Sequence, residues 1–178
     1  MLPWKRAFIC PAIVAYCLSG AVATAQTQQP NAPAPAQQSA APVTGTGWRV
    51  DCNNNGSALD CRAYSEAAQG ERRQIVSSVS VRYAADAKKP VIIVQVPLGI
   101  LVSEPVSVSV DNDLPVRIVI ETCTPAGCFA GSAVTDTLIA KMRTGKKIKI
   151  VFDNVNRQPL TVIMPLAGFA VAYDKVKG

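Results

Sequence analysis

The chain has 178 residues, 49% of them hydrophobic but only 6% aromatic, with 18 basic and 12 acidic residues and no histidine. That length fits one folded domain with a core of Val, Ile, Leu and Ala, and a net charge of +6 falls short of the concentrated charge of a dedicated nucleic-acid binder. Without histidine, Ser-His and Cys-His nucleophilic sites and the common zinc-hydrolase ligand sets are excluded.

Lys5 and Arg6 form a basic start, residues 7–18 an apolar run, and Ala23-Thr24-Ala25 a small-x-small pattern. Together they read as a secretory signal peptide over residues 1–25, cut between Ala25 and Gln26. The apolar run is about a dozen residues, short of the roughly 20 that a membrane-spanning helix needs, so no transmembrane segment is expected in the mature chain. Cys10 and Cys17 leave with the signal, and Tyr16 is too bulky for a lipoprotein processing site before Cys17. Residues 26–46 are rich in Pro, Gln and Ala, without charge or amphipathic period, and are expected to be a disordered, semi-stiff linker. The folded domain is expected over residues 47–178.

From Gly47 the pattern is that of strands. Residues 48–52 and 59–65 come first. Then Ile75, Ser77, Val79, Val81 and Tyr83 alternate with their neighbours, followed by Ile92, Val94, Val96 and Leu98. Val106, Val108 and Val110 interleave with Ser107 and Ser109, and Val116, Ile118 and Ile120 read as one further strand. Residues 128–134, the run containing Ile148, Ile150 and Phe152, and residues 160–164 complete about nine strands. Turn signals at Asn55-Gly56, Lys89-Pro90, Asp111-Asn112-Asp113 and Pro125-Ala126-Gly127 separate them. This spacing predicts an antiparallel sandwich or barrel. Residues 136–143 read as a helix with Thr135 as N-cap, Gly145 as stop and Leu138, Ile139 and Met142 on one face. Phe169, Ala172 and Val176 suggest a short closing helix or an irregular strand.

Four cysteines remain in the mature chain, Cys52, Cys61, Cys123 and Cys128. In an oxidising compartment they read as disulfides. Three connectivities are open; the local one, Cys52–Cys61 and Cys123–Cys128, is chosen because each pair flanks a turn between adjacent strands. Zinc is disfavoured, since eight residues separate Cys52 from Cys61 and imidazole ligands are lacking. Asp111 and Asp113 could be offered as a carboxylate pair for calcium or glycoside chemistry, but their setting is that of a turn. No metal site, cofactor or catalytic residue is expected.

Positive charge concentrates at Lys141, Arg143, Lys146, Lys147 and Lys149, with Arg157 beyond the next turn. One reading is a solvated edge strand on which lysines discourage aggregation. The other takes these six residues as a contact surface for anionic glycans or lipid headgroups.

Several segments in order carry a family resemblance: Gly47-Trp48-Arg49-Val50-Asp51-Cys52 with Cys61, then Val96-Pro97-Leu98-Gly99-Ile100 leading to Val108-Ser109-Val110-Asp111. They are followed by Cys123-Thr124-Pro125-Ala126-Gly127-Cys128 and Met164-Pro165-Leu166-Ala167-Gly168-Phe169-Ala170-Val171-Ala172. This succession, over residues 47–175, closely resembles the bacterial invasion-associated locus B family. The resemblance implies an immunoglobulin-like antiparallel β-sandwich, structural disulfides at the two pairs, and a non-enzymatic envelope protein without catalytic residues. It implies a binding or attachment module contributing to host-cell interaction; the alternative is a periplasmic structural or chaperone-like factor. The expected partner is an envelope protein, an anionic glycan or lipid surface, or a host-cell surface, and not nucleic acid. The expected location is exported: periplasmic, outer-membrane-associated or surface-exposed.

Overall fold

The structure, a computed structural model, describes residues 43–54, 59–84 and 89–177. The expected signal peptide, most of the expected linker and the Asn55-Gly56 turn lie outside them. In chain order the strands are β1 (Val43–Gly45), β2 (Arg49–Asn54), β3 (Leu59–Gln69), β4 (Gln74–Ala84), β5 (Lys89–Val96) and β6 (Val106–Val110). They continue as β7 (Val116–Ile118), β8 (Ile120–Thr124), β9 (Gly127–Ala133), β10 (Lys147–Asp153) and β11 (Pro159–Pro165). Helix α1 (Asp136–Thr144) precedes β10, and α2 (Phe169–Lys177) follows β11.

The strands form a seven-stranded sheet, β1-β3-β4-β5-β9-β8 with β2 also on β3, and a four-stranded sheet, β11-β10-β6-β7. All pairings are antiparallel, and the molecule is an antiparallel β-sandwich with two short helices. The two-residue period explains the layers. Val79, Val81, Ile92, Val94 and Val96 of the large sheet share one buried core with Val106, Val108, Val110, Ile148, Ile150 and Met164 of the small one. Each such side chain contributes about 1.5–3 kcal/mol by leaving water.

Cys52 is bonded to Cys61 and Cys123 to Cys128. Each pair stands directly opposite across its hairpin, with Cα atoms 4.0 and 3.9 Å apart. Cross-link and register therefore enforce each other. Closing such small loops contributes roughly 2–3 kcal/mol each on the loop-entropy model.

Several details differ from the sequence pattern. Val43–Gly45, at the end of the expected linker, pair with Ala67–Gln69. This is geometrically open because β3, eleven residues long, extends past the end of β2. The run read as a single strand from Val116 is two strands: β7 belongs to the small sheet and β8 to the large one, with Val119 exposed at the crossing. Ile75 does not share the inward face of Ser77, Val79 and Val81. A bulge opposite Ala67 and Ala68 shifts the register, leaving Ile75 exposed and Val76 partly buried against the core. Lys89 and Pro90 are the first residues of β5 rather than a turn, a position where a proline is tolerated. Leu98 lies beyond β5 and is exposed.

Both helices sit where the chain's periodicity changes. Thr135 caps α1, its Oγ1 accepting from Leu138 N at 3.3 Å, and Leu138, Ile139 and Met142 are buried. Gly145 donates its N–H to Lys141 O at 2.7 Å. A Cβ there would collide with Val110 Cγ1 and approach Lys141 O to 2.8 Å, so close approach, not backbone angle, demands glycine. The C-terminal segment is a helix and not an irregular strand, burying Phe169, Ala172 and Tyr173. Helix α2 packs on β2, β3 and β4, where Ala63 and Ala67 of β3 are fully buried small residues. Trp48 meets Phe169 edge-on at 4.7 Å, and Phe169 stacks on Tyr173 at 5.6 Å. The indole Nε1 donates to Pro165 O at 2.9 Å.

Removing the fully buried Phe169 ring by Phe169→Ala is expected to cost about 3–5 kcal/mol. Trp48→Phe, which keeps a ring but loses the partly buried bond to Pro165, should cost about 0.5–1.5 kcal/mol, the net worth of one hydrogen bond. Urea unfolding followed by far-UV circular dichroism measures both; a loss for Trp48→Phe as large as that for Phe169→Ala would refute the ranking of ring burial above the indole hydrogen bond.

Candidate interaction surface

The six basic residues singled out in the sequence separate into three groups. Lys141 Nζ pairs with Asp113 at 3.0 Å, and Arg143 grips Asp174 of α2 through Nη1 at 2.5 Å and Nη2 at 3.0 Å. These two cations serve α1: one ties it to the β6–β7 turn, the other to α2. Lys146, Lys147 and Lys149 form the second group, and among the described residues none has a carboxylate within 4.0 Å. Arg157 stands alone in the β10–β11 turn, past the opposite end of β10. Seven strand residues separate that turn from Lys146, about 20 Å at the usual rise.

The lysines do not lie on an edge strand. β10 is interior, paired with β11 on one side and β6 on the other. Lys147 and Lys149 alternate with buried Ile148 and Ile150, so they point away from the core on the outer face of the small sheet. Pro165 stands opposite Lys147, and Ile163 and Ser109 flank Lys149. An interior strand has its backbone groups paired already, so these ammonium groups cannot be serving as edge protection. The turn before β10 is held by Asp111, whose carboxylate accepts from Lys146 N at 3.1 Å and Lys147 N at 3.1 Å. That bonding gives Asp111 a structural task, as its turn setting suggested.

A second charged surface escaped the sequence reading. On the outer face of the large sheet, Asp51 stands opposite Arg62, and Arg62 opposite Arg82. Two arginines in direct register repel, and each is compensated: Arg62 binds Asp51 at 2.7 Å, and Arg82 approaches Asp60 at 3.4 Å. Beside them the Tyr64 ring lies under Arg49 at 4.5 Å and beside Arg62 at 5.1 Å. Its hydroxyl donates to Glu66 Oε2 at 3.0 Å, which also receives Arg49. Burial, first of all, pushes the Tyr64 phenol up from its ordinary value. The available signal was the two-residue spacing of Arg49 and Asp51, and of Arg62, Tyr64 and Glu66. The spacing alone does not say which strands are neighbours. This ladder is self-neutralising, so the small sheet's lysines are the better contact surface.

An open recess of about 590 Å³ lies where β4, β5 and the β9–α1 junction meet, lined by Tyr83, Lys89, Pro90, Ala133, Val134, Thr135 and Asp136. Among the described residues, no cluster of three metal-ligating side chains occurs, and no helix is long and apolar enough to cross a membrane.

Comparison with known proteins points in one direction. The model of the family described as Invasion associated locus B (IalB) protein matches residues 48–177. An Invasion protein B homolog of Brucella abortus is 23% identical over 131 residues, 73% of this chain and 75% of that protein. Invasion protein B of Bartonella bacilliformis is 29% identical over 105 residues, 58% of this chain and 55% of that protein. The crystal structure of invasion associated protein b from Bartonella henselae matches with a TM-score of 0.64 at 28% identity, covering 72% of this chain and 89% of that one.

The Arg143–Asp174 pair has a readable signature. The guanidinium's hydrogen bonds hold the Asp174 carboxyl below its ordinary value. The folded chain thus binds this proton less tightly than the unfolded chain, so the pair's contribution is complete above about pH 4 and fades as pH falls below it. In a carbon-13 NMR titration, Arg143→Met should raise the Asp174 pKa toward the ordinary carboxylate range; an unmoved titration would show that the pair is not formed in solution.

Proposed function

The chain belongs to the invasion associated locus B family, and on that premise we propose that it is a non-enzymatic exported envelope protein that binds anionic glycans through Lys146, Lys147 and Lys149. The family is described by invasion and not by a reaction, and both the family and the two disulfides support export to an oxidising compartment. The observation that carries the reading is the sorting of cations. Arg49, Arg62, Arg82, Arg117, Lys141 and Arg143 each have a carboxylate within 4.0 Å, whereas Lys146, Lys147 and Lys149 have none among the described residues. Arg72, Arg73, Lys89, Arg157, Lys175 and Lys177 also lack one there, but only these three lysines fall together at the start of one interior strand. A sheet fixes where the lysine stems emerge, so only the side chains are ordered on binding, and an uncompensated cation offers its whole charge to an anionic partner. Thr161 and Ser107, on the same outer face as Lys149, add hydroxyl groups suited to sugars.

In this reading the outer face of the small sheet meets sulfate, phosphate or carboxylate groups of a bacterial or host-cell glycan, and attachment contributes to host-cell interaction. One observation favours a different use. β7 is an edge of the small sheet, and Leu114, Val116 and Val119 beside and within it are exposed. Such an edge suits strand addition by another envelope protein, as a periplasmic structural or chaperone-like factor would need.

Retention on immobilised heparin separates the charge-based reading from its rival. Lys147→Gln with Lys149→Gln should weaken binding by about tenfold or more, on the basis of about 1 kcal/mol per cation near an anionic surface. Lys141→Gln, whose charge is already paired, should change it little; equal effects from both would refute the sorting. Placement is tested by protease shaving. Digestion of the domain on intact cells is the expected result, and protection until the outer membrane is opened would replace attachment with the periplasmic reading.

A further inference from the structure

Opposite the lysines, at the far end of β10, two loops are fastened side by side. Ile100 and Asn154 form an isolated antiparallel bridge, and Leu101 N donates to Asp153 O at 2.8 Å. The β10–β11 turn is held by Asn154, whose Oδ1 accepts from Asn156 N at 2.9 Å and Gln158 N at 3.0 Å. Its Nδ2 also reaches Gln158 Oε1 at 3.2 Å. The turn is thus ordered from within, yet it presents Val155 64% exposed. The adjoining loop presents Leu98 and Val102, each 56% exposed, on either side of the bridge residue. Gly99 takes φ +82° with nothing within 4 Å of where a Cβ would be, which lets the chain double back and leaves Leu98 outward. Ile75, 47% exposed, lies by Pro97 across the end of β4.

Three exposed aliphatic side chains on ordered turns, with a fourth, Ile75, at the start of β4, are costly in water. Three arginines stand near them. Arg157 follows Val155 in the same turn, and Arg72 and Arg73 are exposed in the β3–β4 turn next to Ile75. Glu71 and Asp153 are the acidic residues beside them, and Glu104 is engaged by Arg117 at 3.6 Å. Aliphatic tips with a basic rim complement the interface of an anionic bilayer, where hydrocarbon accepts the tips and phosphate meets the guanidinium groups. We propose that this end of the sandwich, built from Leu98, Val102, Val155 and Arg157, docks on the surface of an anionic lipid bilayer. Such contact is shallow and reversible. It leaves uncovered the lysines near the opposite end of β10, on the outer face of the small sheet, so a docked domain keeps its glycan-binding face open.

The test is co-sedimentation of the purified exported protein with vesicles of phosphatidylglycerol and phosphatidylethanolamine, and with vesicles of phosphatidylcholine alone. Binding is expected to the first and to be much weaker to the second. Leu98→Asn with Val155→Asn should reduce it by about fivefold or more without lowering the thermal unfolding midpoint, since both side chains are exposed. Arg157→Gln should reduce it at low salt and match the parent at high salt, which keeps the test decisive should the double variant fold poorly. Lys147→Gln with Lys149→Gln should leave vesicle binding unchanged while weakening heparin retention. The proposal is overturned if no vesicle sediments the protein, or if binding survives loss of the aliphatic tips. It also falls if the lysine variant rather than Arg157→Gln removes binding, or if the tip variant alters only self-association in solution.

Discussion

Trp48 lies where the start of β2, the end of β11 and helix α2 meet, and the sandwich depends on that joint. Its ring packs edge-on to Phe169 while its N–H satisfies the carbonyl of Pro165, a partner 117 residues away. An indole can do both because one end is apolar and the other is a donor. The joint connects the first long strand of the large sheet to the last strand of the small one. Small residues on β3 are part of the same solution: the four-stranded sheet is narrower than its partner, and Ala63 and Ala67 accompany the helix that completes the cover. Without α2 the inner face of β2–β4 would be open to water.

The sheets' outer faces have opposite electrostatic characters. On the large sheet each arginine of β2, β3 and β4 pairs with a carboxylate of β2 or β3, so charge is consumed between neighbouring strands. On the small sheet the carboxylates near β10 are committed elsewhere. Asp111 accepts from backbone amides and Asp113 binds Lys141, and among the described residues the strand's lysines have no carboxylate within 4.0 Å. A binding reading follows from that difference more than from the number of basic residues.

The disulfides fit the same division of labour. Each closes one hairpin on the large sheet, at β2–β3 and at β8–β9, where strands pair at an edge of the seven-stranded sheet. Edge hairpins are the first to fray, because they have neighbours on one side only. The small sheet has no cross-link, and its edges end in Pro159 and Pro165 on β11 and in the three-residue β7. It relies on burial of its inner face, and its outer face and turns are left available for contact.

Much of this protein was legible in its sequence because local patterns survive folding. Two-residue alternation marked β4, β5, β6 and β10, Thr135 and Gly145 marked both ends of α1, and the ordered segments from Trp48 to Ala172 marked the family. What pairing decides was not legible. Val116 to Thr124 reads as one alternating run, yet it divides between two sheets at Val119, since alternation carries no record of which neighbour a strand will find. Ile75 follows the inward pattern of β4 until a bulge reverses it. The six basic residues form one cluster along the chain but three groups in space, because Lys141 and Arg143 meet carboxylates on other elements and β10 carries Arg157 away from Lys146. Periodicity and caps depend on residues a few positions apart, and the sequence by itself determined those. Register, charge pairing and the exposed ends depend on residues up to 117 positions apart, and only the tertiary structure could decide them.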